Sequence, residues 1–264
     1  MPGRNTLSAP PKRHAFGGTD RVNAGETGKF AYAKSVSSES ERYSAAVEDY
    51  LKVIYAFEER EGGKITTTRL AERLGVSASS VSGMVRKLSA LDLLEHPRYG
   101  TIEFTETGRQ VALGVVRRHR LIEQYLVTEL GYGWDEVHDE AEVLEHAVSD
   151  QLLERIAERL GNPRVDPHGD PIPSKEGRLE PWKARRLSTV PPGTVGEFVR
   201  VDDVDPGMLR HLTAEGIQLG ARLEVVERAP YGGSYLVRIG ESPRDVTRQL
   251  GPALVNAMWV GVPD

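Results

Sequence analysis

The sequence predicts a mainly α-helical protein with a small C-terminal β domain, and three observations carry that prediction. Apolar residues recur three or four positions apart through residues 45–160, which is typical of amphipathic helices. Proline is then dense, with seven in residues 163–192. Beyond Gly193, short stretches alternate apolar and polar residues as strands do.

Composition excludes several classes of protein. The chain has 264 residues, 28% of them charged, with 34 Lys and Arg against 39 Asp and Glu. No apolar run approaches the roughly 20 residues of a membrane helix, and the first residues lack the apolar core of a secretory signal. We therefore expect a cytoplasmic protein with no membrane partner. Because cysteine is absent, disulfides, thiolate zinc sites, iron–sulfur clusters and cysteine nucleophiles are excluded.

Charge is distributed unevenly along the chain. Residues 1–44 carry seven basic and four acidic side chains and no periodic apolar pattern, which predicts a disordered basic leader. This leader is either a flexible arm that contacts DNA or an unstructured start. Residues 106–162 carry six basic against twelve acidic side chains, so this block accounts for the net charge of −5.

Residues 45–105 are typical of a winged helix-turn-helix domain. A first helix covers 45–59, and helices over 66–74 and 78–88 flank the turn Gly75-Val76-Ser77, with a C-cap glycine and an N-cap serine. Two alternating stretches within 93–104 predict a wing hairpin.

This pattern predicts that the helix over 78–88 reads the major groove of double-stranded DNA. Small polar side chains would approach base edges and basic ones would contact phosphates. The alternative is a solvated helical face, since the segment as a whole is not basic. The candidate DNA-binding residues are Ser77, Ser79, Ser80, Ser82, Arg69, Arg73, Arg86, Lys87 and Arg98.

The acidic block, 106–162, is predicted to form two long helices, 105–130 and 135–160. The first carries His119 and Glu123 four positions apart, and the second carries a stripe of His138, Glu142, Glu145 and His146. Such pairs also occur by chance on solvated faces. Carboxylate and imidazole ligands without sulfur favour Mn(II) or Fe(II), although Zn(II) or Co(II) can bind such a set in vitro.

The last two segments are a Pro-rich linker, 163–192, and a small domain, 193–264. Strands are predicted at 195–201, 223–226, 234–239 and 254–260, which together suit a small β-barrel. Such a barrel is also suited to binding a Pro-rich segment, so an interaction module, with the linker itself as ligand, is an alternative role.

This order of parts resembles the diphtheria toxin repressor family of metal-dependent transcriptional regulators, in its manganese-responsive form with a C-terminal SH3-like (FeoA-like) domain. The resemblance runs from about Ala45 to the C-terminus. It implies a homodimeric, metal-activated repressor that binds palindromic operators and controls metal-uptake genes. The segments that carry it are Glu48–Tyr55, Ala71–Leu74, Arg117–Leu121, Val137–Ala141 and Glu145–Asp150.

The resemblance also implies two metal sites. Its primary, activating site falls on Asp49, Glu142, Glu145 and His146. Iron-responsive members have Met and Cys at the first two positions and manganese-responsive members have Asp and Glu, so we expect Mn(II), with Fe(II) as the second choice.

The ancillary site of the family falls on His119, Glu123 and His138, completed from the C-terminal domain. Asp205 is our candidate for that ligand, with Asp202 and Asp203 as alternatives. Two departures stand out. Lys52 replaces a Glu of the binuclear manganese sensors that have no barrel, and Met208 replaces a Gln ligand of the iron regulators.

Two other functions are consistent with parts of the sequence. The first is a metal-independent winged-helix regulator, in which the His/Glu cluster is structural. The second is a metalloenzyme, but the chain has no HExxH motif, no Gly-rich phosphate loop and no nucleophile elbow. We therefore expect no enzymatic activity.

Overall fold

The computed structural model describes residues 43–95, 100–180, 183–241 and 243–261. The N-terminal part contains helices α1 (Ala45–Glu61), α2 (Thr67–Leu74) and α3 (Ala78–Ala90), followed by the antiparallel strands β1 (Leu94–Glu95) and β2 (Glu103–Phe104). The predicted helix-turn-helix and hairpin are therefore confirmed. The tip of the hairpin, 96–99, lies outside the described residues, and so do residues 1–42.

Local sequence explains where these helices begin and end. The Thr66 side chain accepts a hydrogen bond from the Arg69 N–H at the start of α2. Gly75 ends α2 with a φ of +64°, a left-handed conformation that costs glycine little. The apolar stripes of the three helices and the start of the following helix share one core, built around Leu51, Ile54, Leu70, Val81, Leu88 and Ala112.

The middle of the chain forms helices α4 (Glu106–Leu130), α5 (Val137–Leu144) and α6 (Asp150–Arg159). The prediction of one helix over 135–160 is wrong, because the chain leaves the helix between residues 145 and 149. Ser149 accepts a hydrogen bond from the Leu152 N–H and so starts a new helix. The break gives the side chains of Glu145 and His146 directions that a continuous helix would not give them.

The C-terminal part is an antiparallel sheet. Its strands, among the residues described, are β3 (Ala184–Arg186), β4 (Val195–Val201), β5 (Arg222–Arg228), β6 (Tyr235–Ile239), β7 (Val246–Leu250) and β8 (Met258–Gly261), in the order β3-β8-β4-β5-β6-β7. Helices α7 (Pro206–Ala214) and α8 (Pro252–Asn256) complete this part of the chain. The small β domain is confirmed, but its end strands β3 and β7 do not pair, so the sheet does not close into the expected barrel.

Two further details of this part differ from the prediction. The stretch predicted as a strand over 254–260 divides into α8 and β8, because Pro252 at the first turn of α8 favours a helix. The segment 163–192, expected to have little regular structure, supplies β3 and a β-bridge between Val165 and Pro171.

The segment after α6 turns back against the sheet. Gly169 has a φ of +85°, and a Cβ added there would lie 2.0 Å from the Val199 carbonyl oxygen, so only glycine fits. The neighbouring His168 carbonyl accepts a hydrogen bond from the Val201 N–H at 2.9 Å. The turn is thereby fixed between β4 and the helices. Among the helices of the described residues, none is long and apolar enough to cross a membrane.

Candidate metal centre

The first group of candidate ligands, the outer cluster, lies between α1 and the turn after α5. It consists of Asp49, Glu145 and His146, whose ligand-type atoms all lie within 4.8 Å of one another. His146 Nε2 is 2.9 Å from Asp49 Oδ1 and 3.5 Å from Glu145 Oε1. The structure thus brings together three of the four residues expected in the primary site.

His146 is oriented by a neighbour on α1. Its Nδ1 lies 2.9 Å from Glu48 Oε2, and the same carboxylate oxygen accepts a hydrogen bond from Arg118 at 3.3 Å. With its proton on Nδ1, His146 donates to Glu48 and directs its Nε2 lone pair toward Asp49. Metal-binding imidazoles are commonly held in this way by a carboxylate on the other ring nitrogen.

Glu142, the fourth residue expected in the primary site, is tied to a lysine instead. Lys52 Nζ donates to Glu142 Oε1 at 2.7 Å and to Glu145 Oε1 at 2.6 Å. Glu142 Oε1 also lies 3.4 Å from His138 Nε2. Its carboxylate therefore lies between the outer cluster and the second group.

The second group, the inner cluster, surrounds Glu123 on α4. Glu123 Oε1 is 3.0 Å from His119 Nε2 and 3.3 Å from His138 Nδ1. Asp203 Oδ2, from the loop after β4, is 3.4 Å from His138 Nδ1. The helical residues expected in the ancillary site are thus in contact. The whole inner cluster is His119, Glu123, His138, Asp166, His168 and Asp203.

Asp166 and His168 belong to the segment that was expected to be a linker. His168 Nε2–H donates to the Trp134 carbonyl at 2.6 Å, so Nδ1 is the ring nitrogen available to a metal. That Nδ1 lies 3.8 Å from Glu123 Oε2, and both atoms are buried without a hydrogen-bond partner. Buried polar atoms normally have partners. A divalent cation bound by Glu123, Asp166 and His168 would satisfy both, so the residues present fit a metal.

Asp205 does not reach either cluster, and its expected role is corrected. Its Oδ1 accepts hydrogen bonds from the N–H groups of Gly207 and Met208, at 2.8 and 3.3 Å, and so caps α7. Asp203, which the sequence left as an alternative, is the residue through which the sheet domain joins the inner cluster. Met208 packs against the core of the sheet domain.

Sequence reasoning missed Asp166 and His168 because high proline content indicated a loop. The alternation Asp166-Pro167-His168-Gly169-Asp170 was the available indication, since three ionisable groups on alternate positions can face one side. Asp166 Oδ1 accepts hydrogen bonds from the backbone N–H groups of His168 and Asp170, at 2.8 and 2.9 Å. These two bonds fold the stretch into a tight, buried turn.

The candidate DNA-reading surface is the N-terminal half of α3. Ser77 accepts a hydrogen bond from the Ser80 N–H at 3.2 Å and caps the helix, and Ser77, Ser79 and Ser80 are all exposed. Ser82 is half-buried and donates to the Ala78 carbonyl at 2.8 Å. The polar N-terminal end of the helix is therefore open to a ligand.

The basic candidates lie in different surroundings. Arg86 and Lys87 are exposed on α3. Arg73 donates to Glu61 Oε1 at 2.6 Å, and Arg69 lies 3.7 Å from the other oxygen of that carboxylate. These two arginines are thus tied to the end of α1. Arg98 lies outside the described residues.

Comparison with known proteins covers most of the chain. Residues 42–102 match the family described as iron dependent repressor, N-terminal DNA binding domain. Residues 105–174 match the iron dependent repressor metal binding and dimerisation domain, and residues 185–251 match the FeoA domain. The chain belongs to the diphtheria toxin repressor family of metal-dependent transcriptional repressors.

Individual relatives agree with this assignment. The iron-dependent repressor IdeR of Mycobacterium tuberculosis is 33% identical over 219 residues, which cover 78% of this chain and 94% of IdeR. The diphtheria toxin repressor of Corynebacterium diphtheriae is 30% identical over 69% of this chain and 84% of its own. These relatives are transcriptional repressors, so the chain is a regulator and not an enzyme.

Solved structures of manganese regulators are also similar. A manganese-dependent transcriptional repressor in complex with manganese is 48% identical, with a TM-score of 0.78, over 82% of this chain and all of that one. The manganese regulator SloR is 34% identical, with a TM-score of 0.67, over 82% of this chain and 98% of SloR.

Membership of the family gives this repressor its partners: DNA, a second copy of the chain and divalent metal ions. Large apolar side chains on the metal-binding and dimerisation domain are exposed, with Leu130 at 58%, Val143 at 70% and Leu152 at 49%.

Electrostatics in the inner cluster favour protonated histidines when no metal is bound. Burial alone would lower the pKa of His119, but Glu123 and the hydrogen bonds to Glu123 and Glu145 raise it to about 9. Burial likewise opposes the charge of His138, while hydrogen bonds to Asp203 and Glu123 raise its pKa to about 10. Burial next to Asp170 and Glu123 raises the pKa of Asp166 to about 8. Metal binding by these groups must therefore release protons.

Proposed function

We propose that this repressor senses Mn(II), binds palindromic operators as a dimer in the cytoplasm and reduces transcription of metal-uptake genes. The observation that carries the choice of metal is the composition of the outer cluster. Asp49, Glu145 and His146 offer two carboxylates and one imidazole, and the chain has no cysteine. Ligand sets of this kind suit harder divalent ions such as Mn(II).

Fe(II) is the second candidate for the same site. It accepts oxygen and imidazole ligands, and the curated relatives at 33% identity are iron-dependent repressors. The structural relatives at 48% and 34% identity are manganese regulators, which supports Mn(II). Zn(II) and Co(II) are expected to bind in vitro.

The outer cluster connects the DNA-binding domain to the dimerisation domain. Asp49 lies on α1, whereas Glu145 and His146 lie in the turn between α5 and α6. A bound divalent ion supplies positive charge that the carboxylates share. Asp49 and Glu145 then hold α1 close to the turn, and α1 packs in the same core as α2 and α3.

This connection gives metal a route to DNA affinity. Ligands that bind one conformation preferentially shift the population toward it. When the two reading helices of a dimer are already fixed at one spacing, operator binding no longer carries the entropy cost of ordering them. A coupling of about 1–3 kcal/mol, typical of allostery, changes operator affinity by roughly 5–150-fold.

We further propose that the inner cluster holds a second ion. Glu123 lies on α4, His138 on α5, His168 in the segment after α6 and Asp203 after β4. An ion held by these groups joins the sheet domain to the helices. The unpartnered Glu123 Oε2 and His168 Nδ1 support this assignment.

Fluorescence anisotropy on DNA from the repressor's own promoter tests the main proposal. The full chain is titrated in chelator and then with Mn(II), Fe(II), Zn(II) or Co(II), under anaerobic conditions and at fixed salt because phosphate contacts are salt-dependent. We expect Mn(II) to tighten binding by about 5–150-fold and His146→Ala to abolish the effect. His211→Ala, an exposed histidine on α7, is the matched control.

Three results would contradict parts of the proposal. Equal binding in chelator and in Mn(II) would exclude metal activation. Stimulation by Fe(II) at lower free concentration than Mn(II) would reassign the metal. An unchanged response in His146→Ala would exclude the outer cluster as the sensor.

A further inference from the structure

Lys52 lies on α1, three residues after Asp49, with its ammonium among candidate ligands. Nζ donates to Glu142 Oε1 at 2.7 Å and to Glu145 Oε1 at 2.6 Å, and the side chain is only 13% exposed. Glu145 is fully buried, so most of its environment is protein rather than water. Lysine and two carboxylates at these distances form a strong ionic contact.

The ammonium lies at the junction of the two clusters. Glu145 Oε1, one of its partners, lies 3.5 Å from His146 Nε2 in the outer cluster. Glu142 Oε1, the other partner, lies 3.4 Å from His138 Nε2 in the inner cluster. Both oxygen atoms that Lys52 binds therefore belong to candidate ligands, Glu145 beside Asp49 and His146, and Glu142 beside His119 and His138.

We propose that Lys52 is a tethered cation that competes with metal for Glu142 and Glu145 and thereby sets the metal concentration at which this repressor is activated. The inference rests on the proposed function, because it concerns how the same site is filled. In this role Lys52 affects the affinity for metal but does not itself bind the metal ion.

The competition follows from charge and distance. A metal ion bonded to Glu145 Oε1 would lie about 4 Å from an ammonium on the same oxygen, where like charges repel strongly. Without either cation, the fully buried carboxylate of Glu145 would face that of Glu142 with no positive charge from Lys52 or a metal between them, which is costly. Lys52 thus stabilises the metal-free state, and anything that favours that state lowers apparent metal affinity.

The surrounding cavity gives the displaced side chain somewhere to go. A cavity of about 560 Å³ opens beside Lys52. Its wall includes Asp166, Asp170, Asp202 and Asp203, together with Arg60, Arg73 and Arg120. The ammonium can therefore leave Glu142 and Glu145 for a space that is lined by charged side chains of both signs.

The test is a titration of full-length protein with Mn(II) alone, without DNA, in which free Mn(II) is followed by electron paramagnetic resonance. Lys52→Met removes the charge and keeps the length of the side chain. We expect about tenfold tighter binding of the first ion, the least that loss of a competing charge this close should give. Lys52→Arg, which keeps the charge, should bind Mn(II) more weakly than Lys52→Met does.

Lys175→Met is the matched control, because that lysine is 70% exposed and lies 3.8 Å from its partner Glu154. Melting curves provide a second measurement if Lys52→Met is poorly folded without metal. The increase in Tm on addition of saturating Mn(II) should then be larger in Lys52→Met than in wild type.

The two proposals fail in different ways. If wild type binds Mn(II) normally and Lys52→Met shows neither tighter binding nor a larger increase in Tm, the tethered-cation role is wrong and the sensor proposal stands. If wild type binds no Mn(II), the sensor proposal fails and this inference fails with it.

Discussion

The outer and inner clusters use the same ligand chemistry in different surroundings. In the outer cluster Glu145 is fully buried, but the side chains of Asp49 and His146 are 42% and 23% exposed. In the inner cluster His138 is 38% exposed, but the side chains of Glu123 and His168 are 1% and 0% exposed. The outer cluster joins two helical regions, whereas the inner cluster also includes the segment after α6 and the sheet domain.

This difference suggests different tasks. A partly exposed site exchanges its ion with solvent more readily than a buried one and so can follow the metal concentration. A buried site holds its ion among groups that have lost their hydration, where the ion contributes to the stability of the fold. We therefore expect the outer cluster to control DNA affinity and the inner cluster to hold the sheet domain against the helices.

Among the substitutions, the largest expected effect comes from removing His168. We expect His168→Ala to weaken binding of the second ion by about a hundredfold, as loss of a metal-site partner commonly does. Binding of the first ion should change little, because His168 does not contact the outer cluster. Metal analysis after dialysis against limiting Mn(II) measures this, with His211→Ala as control.

The division of tasks between the two clusters would be contradicted if the His168→Ala variant still bound both ions but lost metal-stimulated DNA binding. That result would place the signal in the inner cluster. Loss of the increase in Tm with metal, together with retained stimulation of DNA binding, would sharpen the division of tasks.

Sequence periodicity was sufficient for most of the helical part. The helix-turn-helix follows from caps such as Thr66, Gly75 and Ser77, which act within a few residues. The approach of His119 and Glu123 follows from i, i+4 spacing alone. Local rules predict such features because their causes are local.

Features that depend on tertiary contacts were missed. The turn between α5 and α6 brings His146 into contact with Glu48 and Asp49 on α1, and helical periodicity does not specify these contacts. The burial of His168 depends on β4 and Trp134, which are distant in sequence. The choice between Asp203 and Asp205 depends on the direction of one loop, which spacing does not specify.

Stability and metal affinity are also expected to depend on pH. The raised pKa values of His119 and His138 stabilise the metal-free fold fully below the unfolded value of about 6.5. This contribution is lost as pH rises through the folded values of about 9 and 10. Metal binding requires the neutral rings, so affinity for the second ion should rise with pH, by about tenfold per unit for each proton released.

Calorimetric titrations at pH 7, 8 and 9, in buffers of different ionisation enthalpy, measure both the affinity and the protons released. Melting in chelator over the same range should show falling stability. Constant affinity for the second ion between pH 7 and pH 9 would show that the inner histidines are already neutral, contrary to the charge balance around Glu123.

The smallest expected effect distinguishes two neighbouring aspartates. Asp205→Ala removes the cap of α7 and should cost about 1 kcal/mol of stability, while metal affinity stays within about twofold. Asp203→Asn should instead weaken the second ion, because Asp203 lies in the inner cluster and also accepts from Arg60 on α1 at 2.5 Å. Urea unfolding and Mn(II) titration of both variants separate these effects. Asp205→Ala could instead weaken metal binding as much as Asp203→Asn does. Contact with the inner cluster would then not be what determines the affinity for the second ion.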